Sequence, residues 1–303
     1  MNMVKPVYFE TFKKGLLQKK IKQVYCLLEG CRLCPRKCGV NRLEDEKGIC
    51  KMGKKAMVSS YNAHFGEEAT LVGKNGSGTI FFANCNLLCN FCQNYDISHE
   101  GHGYEVSDEQ LADMMITLQN KGCHNINFVT PSHVVPQILS SLEIAIEKGL
   151  NTPLIYNTGG YDNVETLKLL EGIFDIYMPD FKFWDVVIAE RTCNAPDYPE
   201  IARKAVAEMH RQVGDLKIVN NGIAIHGLLI RHLVLPNKLA GTKKIARFIA
   251  KEISPDTYVN IMSQYHPCGK AYEIKELSNF LTQKEYNDAV ESAKEEGLWK
   301  LDK

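Results

Sequence analysis

Residues 78–95 read GTIFFANCNLLCNFCQNY, which places Cys85, Cys89 and Cys92 in the spacing C-x3-C-x2-C directly after a short apolar strand. Three thiolates are offered there, whereas a tetrahedral structural zinc site or a closed iron–sulfur cluster takes four protein ligands. A [4Fe-4S] cubane held by three cysteines leaves one iron without a protein ligand. An open iron is where a substrate or cosubstrate binds and is transformed, so these three cysteines are read as the catalytic centre.

Outward from this loop the chain alternates helices and strands. Short apolar runs ended by turn residues predict strands over 79–83, 126–130, 153–156, 175–178, 227–235 and 258–262. Between them, helical periodicity predicts helices over 107–120, 132–148, 162–171, 200–212 and 242–253. Ser107 with Gln110 and Thr282 with Glu285 form capping boxes, the second opening a final helix to about residue 296 that is expected to close one end of the fold. Strands separated by amphipathic helices need crossover connections, so the sheet is predicted parallel. Six units are too few for a closed eightfold barrel, and the α/β fold expected is a partial (β/α)6 TIM-like barrel. Its wide mouth would admit a peptide or a protein segment.

In such barrels functional residues gather at the C-terminal ends of the strands. At those ends lie the cysteine loop, Asn157-Thr158-Gly159-Gly160, Asp180 with Lys182, and His266, while Arg231 lies in the fifth strand. Cys268, two residues past His266, is a candidate thiol at the mouth, and Cys193 has no visible partner. His64, Glu67 and Glu68 read as loop residues in a polar stretch before the first barrel strand. His124, His133, His210, His226 and His232 read as core or surface histidines, and Cys123 as a small buried apolar residue.

Upstream, residues 9–24 have the periodicity of one packing helix, and a cysteine-dense segment follows. Cys31, Cys34, Cys38 and Cys50 in the pattern C-x2-C-x3-C-x11-C supply four soft ligands for a second metal site, zinc or iron–sulfur. The expected organisation is therefore an N-terminal helix with a cysteine-rich segment (1–60), the barrel (61–280) and a C-terminal helical extension (281–303).

Lys plus Arg and Asp plus Glu number 36 each, so the zero net charge makes no electrostatic case for nucleic acid or an anionic membrane. No continuous apolar run suggests a signal sequence or a membrane span. The chain is expected in the cytoplasm, where eleven cysteines serve as metal ligands and free thiols rather than disulfides.

The motifs C-x-L-C-P-R-x-C, GSGTIFF, CNFCQNY, MPDFK, RHLVLP and MSQYHP together cover nearly the whole chain. In this set the chain resembles the radical S-adenosylmethionine (SAM) proteins related to pyruvate formate-lyase activating enzyme, and within them a subgroup labelled PflX-like. The aromatic Phe91 before the third cysteine is similar to that superfamily's motif. The resemblance implies reductive cleavage of SAM at the cluster, with a 5′-deoxyadenosyl radical taking hydrogen from a substrate, as in a glycyl-radical-enzyme activase or a peptide or protein modifier. It further implies that Asp180 and Lys182 contact SAM, that Arg231 lies near its carboxylate, and that His266 lies beside the adenosyl moiety. The loop 157–160 would receive the methionyl amino group, and a small donor such as flavodoxin or ferredoxin would supply the electron. The other function class is a non-catalytic iron–sulfur or zinc protein in electron transfer or protein interaction.

Overall fold

A computed structural model of the chain describes residues 5–302. Residues 1–4, at the start of the predicted N-terminal segment and of the stretch read for a signal sequence, and residue 303 of the C-terminal extension lie outside the described residues. The first helical run is two helices, α1 (Tyr8–Lys13) and α2 (Leu16–Cys26), rather than one. Gly15 between them takes φ 65°, a left-handed conformation that ends one helix and starts the next at an angle. After the cysteine-rich segment come β1 (Ala56–His64), α3 (Ala69–Val72), β2 (Ser77–Phe82), the cysteine loop, α4 (Tyr95–Ser98) and β3 (Tyr104–Val106). The alternation then runs through α5 (Asp108–Asn120), β4 (Ile126–Val129), α6 (Val135–Glu147), β5 (Leu154–Thr158), α7 (Val164–Leu169) and β6 (Ile176–Pro179). It continues with α8 (Val186–Cys193), α9 (Tyr198–Val213), β7 (Lys217–Ile218), β8 (Ala224–Leu233), α10 (Thr242–Phe248), β9 (Tyr258–Met262) and α11 (Gln283–Glu295).

Strands β2, β4, β5, β6, β8 and β9 pair in that order, all parallel, and form the six-unit barrel that the alternation predicts. The barrel does not close: β9 pairs with β8, while the far side of β2 is taken by antiparallel β1, which carries β3. The sequence reads the β1 region as a loop, because AMVSSYNAH lacks a clean apolar alternation; pairing against β2, from Val58↔Phe82 to His64↔Ser77, makes it a strand. Likewise the segment after Trp184, where the sequence predicts no regular element, contains α8. Asp185 caps it by accepting hydrogen bonds from the Val187 and Ile188 amides at 2.9 and 3.1 Å. The final helix packs on α10, and Arg247 pairs with Glu296 at 2.9 Å across that contact.

Two apolar regions follow from the period-two alternation of strand side chains. One parity, including Ile80, Phe82, Phe128, Tyr156 and Tyr177, joins the helices in the main core. The other, including Ile155, Ile176, Met178 and Leu229, forms a small separate cluster with Leu71 of α3. Two residues further along the same strands, on the same parity, come Asn157, Asp180 and Arg231, so the apolar floor gives way to polar groups toward the C-terminal ends.

The α5 capping box is present, with Gln110 N–H donating to Ser107 Oγ at 3.1 Å and Ser107 N–H to Gln110 Oε1 at 2.8 Å. Ser107→Ala is expected to cost about 1 kcal/mol, read as a lower urea midpoint at unchanged slope; an unchanged midpoint would show the cap to be idle.

Candidate active site

The C-terminal ends of the barrel strands open on a cavity of about 380 Å³, within the size range of small-molecule sites. Cys85, Cys89 and Cys92 all line it, opposite Asn157, Asp180 and Arg231.

The cysteine loop is pinned from several directions. Phe91 is buried, packing edge-on to Phe183 at 5.7 Å and tilted against Tyr265 at 6.1 Å, which gives the aromatic before the third cysteine an anchoring role. Asn86 Nδ2 donates to the Tyr161 carbonyl at 2.8 Å, and Asn90 N–H donates to the Thr192 carbonyl at 2.8 Å. Asn84 and Leu88 take positive φ values of 67° and 56°, tight turns that let three thiols in eight residues face one space. Burial raises the Cys85 thiol to about 12 and also raises Cys92; Cys89 is raised by the Cys193 thiol beside it and by burial. Metal ligation must therefore displace protons from thiols that are neutral without metal.

Asp180 organises the opposite wall. Its carboxylate accepts from Lys182 Nζ at 2.6 Å and from Arg231 Nε at 2.9 Å, all three side chains being less than one-fifth exposed. Burial alone would raise the Asp180 carboxyl, but Arg231 and Lys182 overcome it and hold it below the usual carboxylate range. Arg231 also donates to Asn157 Oδ1 at 2.8 Å and pairs with Glu67 Oε2 at 3.4 Å, so one guanidinium ties β8 to β5, to β6 and to the segment before α3. The Glu67 carboxyl is raised by burial, against the pull of Arg231.

Asn157, Thr158 and Gly159 line the cavity. The Thr158 hydroxyl is engaged with buried Asp162 at 2.6 Å. Gly160 takes φ 76°, and a Cβ there would collide with the Asp180 carbonyl oxygen; the glycine is required where the loop crosses β6.

The structure thus brings together Cys85, Cys89, Cys92, Asn157, Thr158, Gly159, Asp180, Lys182 and Arg231 on one cavity. Gly160 supports it from behind. His266 lies exposed at the rim, 3.2 Å from the Gln264 carbonyl and 3.5 Å from Gln93 Nε2, and the two glutamines line the cavity itself. Cys268 donates to the Phe91 carbonyl at 3.2 Å and so braces the cysteine loop. His133 and His232 are core residues. His232 is held neutral by burial, its ring between the Phe181 carbonyl at 2.7 Å and Thr242 Oγ1 at 2.8 Å.

Several residues escaped the sequence reading. Glu67 is read there as a loop residue, Gln93 and Gln264 lie within the CNFCQNY and MSQYHP motifs without being singled out, and Thr130 carries no signal beyond its nearness to a strand end. Thr130 holds φ 61°, strain for a β-branched side chain at the cavity wall. Cys193 has a neighbour after all, because α8 carries it to Cys89.

The donor set fits an open iron–sulfur cluster: three thiols face a cavity that continues past them to fixed charges. Among the described residues no three His, Cys, Asp or Glu side chains converge as ligands of one metal ion. Ligands of a multi-iron cluster need not do so, since each thiolate takes its own iron.

A relative of 34% identity, the uncharacterized protein MJ0674 of Methanocaldococcus jannaschii, aligns over 297 residues, 95% of this chain and 81% of its own length. A solved structure, native anSMEcpe with bound AdoMet, matches at TM-score 0.45 and 16% identity, covering 70% of this chain and 57% of that one. The family model described as the radical SAM superfamily matches residues 79–234, slightly more than half of the chain, from the strand before the cysteine loop through the strand that carries Arg231. This chain belongs to the radical SAM superfamily.

Proposed function

We propose that Cys85, Cys89 and Cys92 hold a [4Fe-4S] cluster and that the cavity beside them binds SAM, making the chain an enzyme that generates a 5′-deoxyadenosyl radical. The carrying observation is that three thiols and a charge-balanced Asp–Lys–Arg group, from the ends of different strands, line one cavity. Superfamily members use this cluster with SAM; once reduced by an external donor, the cluster would supply the one electron that breaks the sulfonium S–C5′ bond. Around it the chain's own groups bind and orient. Arg231 is assigned to the SAM carboxylate, the backbone of 157–160 to the methionyl ammonium, Asp180 and Lys182 to further SAM contacts, and His266, at the rim, to the adenosyl side. Phe81, Val129 and Leu233 exclude water from the wall where the radical would meet substrate.

The substrate assigned is a peptide or protein segment, glycyl-radical-enzyme activation being one form of that chemistry. β9 and β1 do not pair, but the seam is bridged, since Asn260 Nδ2 donates to Glu68 Oε1 at 2.8 Å and residues 300–302 pair along β9, so a substrate segment would enter at the C-terminal mouth. A small one-electron donor of the flavodoxin or ferredoxin kind is the assigned partner. All eleven cysteines are free, which supports a reducing cytoplasmic setting. Among the described residues no helix is long and apolar enough to cross a membrane.

Anaerobic reconstitution with iron and sulfide, then SAM and dithionite, is expected to yield 5′-deoxyadenosine and methionine. No 5′-deoxyadenosine from a protein with a spectroscopically intact cluster would overturn the enzyme reading in favour of an electron-transfer or interaction role.

A further inference from the structure

The 29 residues between α2 and β1 contain only a three-residue 3₁₀ turn, Arg42–Glu44. So long a stretch without regular structure lacks the ladder hydrogen bonds that normally hold a chain in place. It is folded nonetheless. Cys31, Cys34 and Cys50 are buried and Cys38 is half-buried. Backbone bonds bring the ends of the pattern together: Cys31 N–H donates to the Val40 carbonyl at 2.8 Å, and Gly39 N–H to the Cys31 carbonyl at 3.0 Å. Ile49 N–H points at Cys38 Sγ at 3.4 Å, and Gly48 leaves no room for a Cβ beside that sulfur. An amide aimed at a sulfur suits a thiolate better than a thiol.

Between Cys34 and Cys38 stands Arg36. Its guanidinium donates to the Asn86 and Leu87 carbonyls of the cysteine loop at 2.9 and 3.1 Å, to the Cys193 carbonyl at 2.8 Å, and to Asn194. It also stands over the Tyr161 ring, 5.2 Å from the centroid. One side chain of the cysteine-rich segment therefore satisfies carbonyl groups on both segments that back the active-site cysteines.

We propose that Cys31, Cys34, Cys38 and Cys50 form a second, closed site in which four thiolates hold an iron–sulfur cluster, each on its own iron, and that this site fixes Arg36 against the 85–92 loop. A single zinc ion does not fit, since among the described residues no three such side chains converge on one metal ion, and four protein ligands leave no iron open to a substrate. The four thiols give up their protons on binding, and the binding free energy becomes order in a segment that has little secondary structure of its own.

The test is metal and sulfide analysis of the chain carrying Cys85→Ala, Cys89→Ala and Cys92→Ala together. About four irons with sulfide should remain per chain, and adding Cys38→Ser should remove them. A metal-free triple variant overturns the proposal, as does residual metal that survives Cys38→Ser. If the triple variant does not fold, the wild-type chain reconstituted with iron and sulfide decides: about eight irons support the site, and about four irons overturn it. The role of Arg36 has its own readout. In Cys38→Ser alone, amide hydrogen exchange over residues 86–90 should rise toward that of Arg36→Ala; protection unchanged in both variants would show that the segment does not hold the loop.

Discussion

Alanine at Cys85, Cys89 and Cys92 together is expected to reduce SAM cleavage to the background of the reagents, the largest effect any substitution in this chain should have. No other thiol among the described residues lines the cavity: Cys193 lies beside Cys89, and Cys268 is spent on the Phe91 carbonyl. The loss should come without unfolding, because the loop is held by Phe91, Asn86 and Asn90 rather than by the sulfurs. Retained 5′-deoxyadenosine formation in the triple variant would locate the cluster elsewhere. Single serine substitutions separate the positions further. Cys89, the most buried of the three, should tolerate serine least, with its iron content falling below those of the other two.

Asp180→Asn should produce the largest change in stability. Among the described residues it removes the only formal charge bonded to Lys182 and one of two bonded to Arg231, leaving two mostly buried cations short of a counter-charge, a situation that costs about 3–5 kcal/mol. The sign with pH follows from the direction of the shift. Since the folded carboxyl is held below its unfolded value, its contribution is fully present above the unfolded value of about 3.9 and is lost as pH falls through the folded one. The gap between wild type and variant in urea unfolding should therefore be constant from neutral pH to about pH 5 and shrink at more acid pH. Adding Lys182→Met should recover part of the loss, because an absent cation needs no partner. A double variant no better than Asp180→Asn would mean that the carboxylate, rather than the pairing, carries the stability.

The two substitutions interrogate features that were unequally legible in the sequence. The three-cysteine spacing is local, since eight residues of loop fix both the number of thiols and the side of the strand on which they emerge. The six parallel strands were legible because each is a short apolar run between turn residues, and a strand buried on both faces can be little else. β1 was not, because its outer positions are polar and its pairing partner lies in β2; its strand character comes from the partner. Nor was α8, in which Val186 and Val187 are exposed and blur the helical pattern.

Asp180, Lys182 and Arg231 were each visible as polar residues at or near strand ends, yet nothing in the one-dimensional order says that Arg231 reaches Asp180 and Asn157 at once, or that Glu67 joins them. Contacts across 51, 74 and 164 residues of chain exist only when strands are laid side by side. The same holds for Arg36, an ordinary arginine in a cysteine-rich loop until folding sets it over carbonyls 50 and 157 residues away. The sequence by itself determined the alternating α/β architecture, the three-thiol loop and the candidate polar residues, because those depend on local spacing and on period-two or helical repetition. The tertiary structure decided which of them share a cavity, which thiols line it and which brace its loop, and how Arg36 of the cysteine-rich segment reaches that loop, because charge pairing and loop support depend on distances through space that no local pattern encodes.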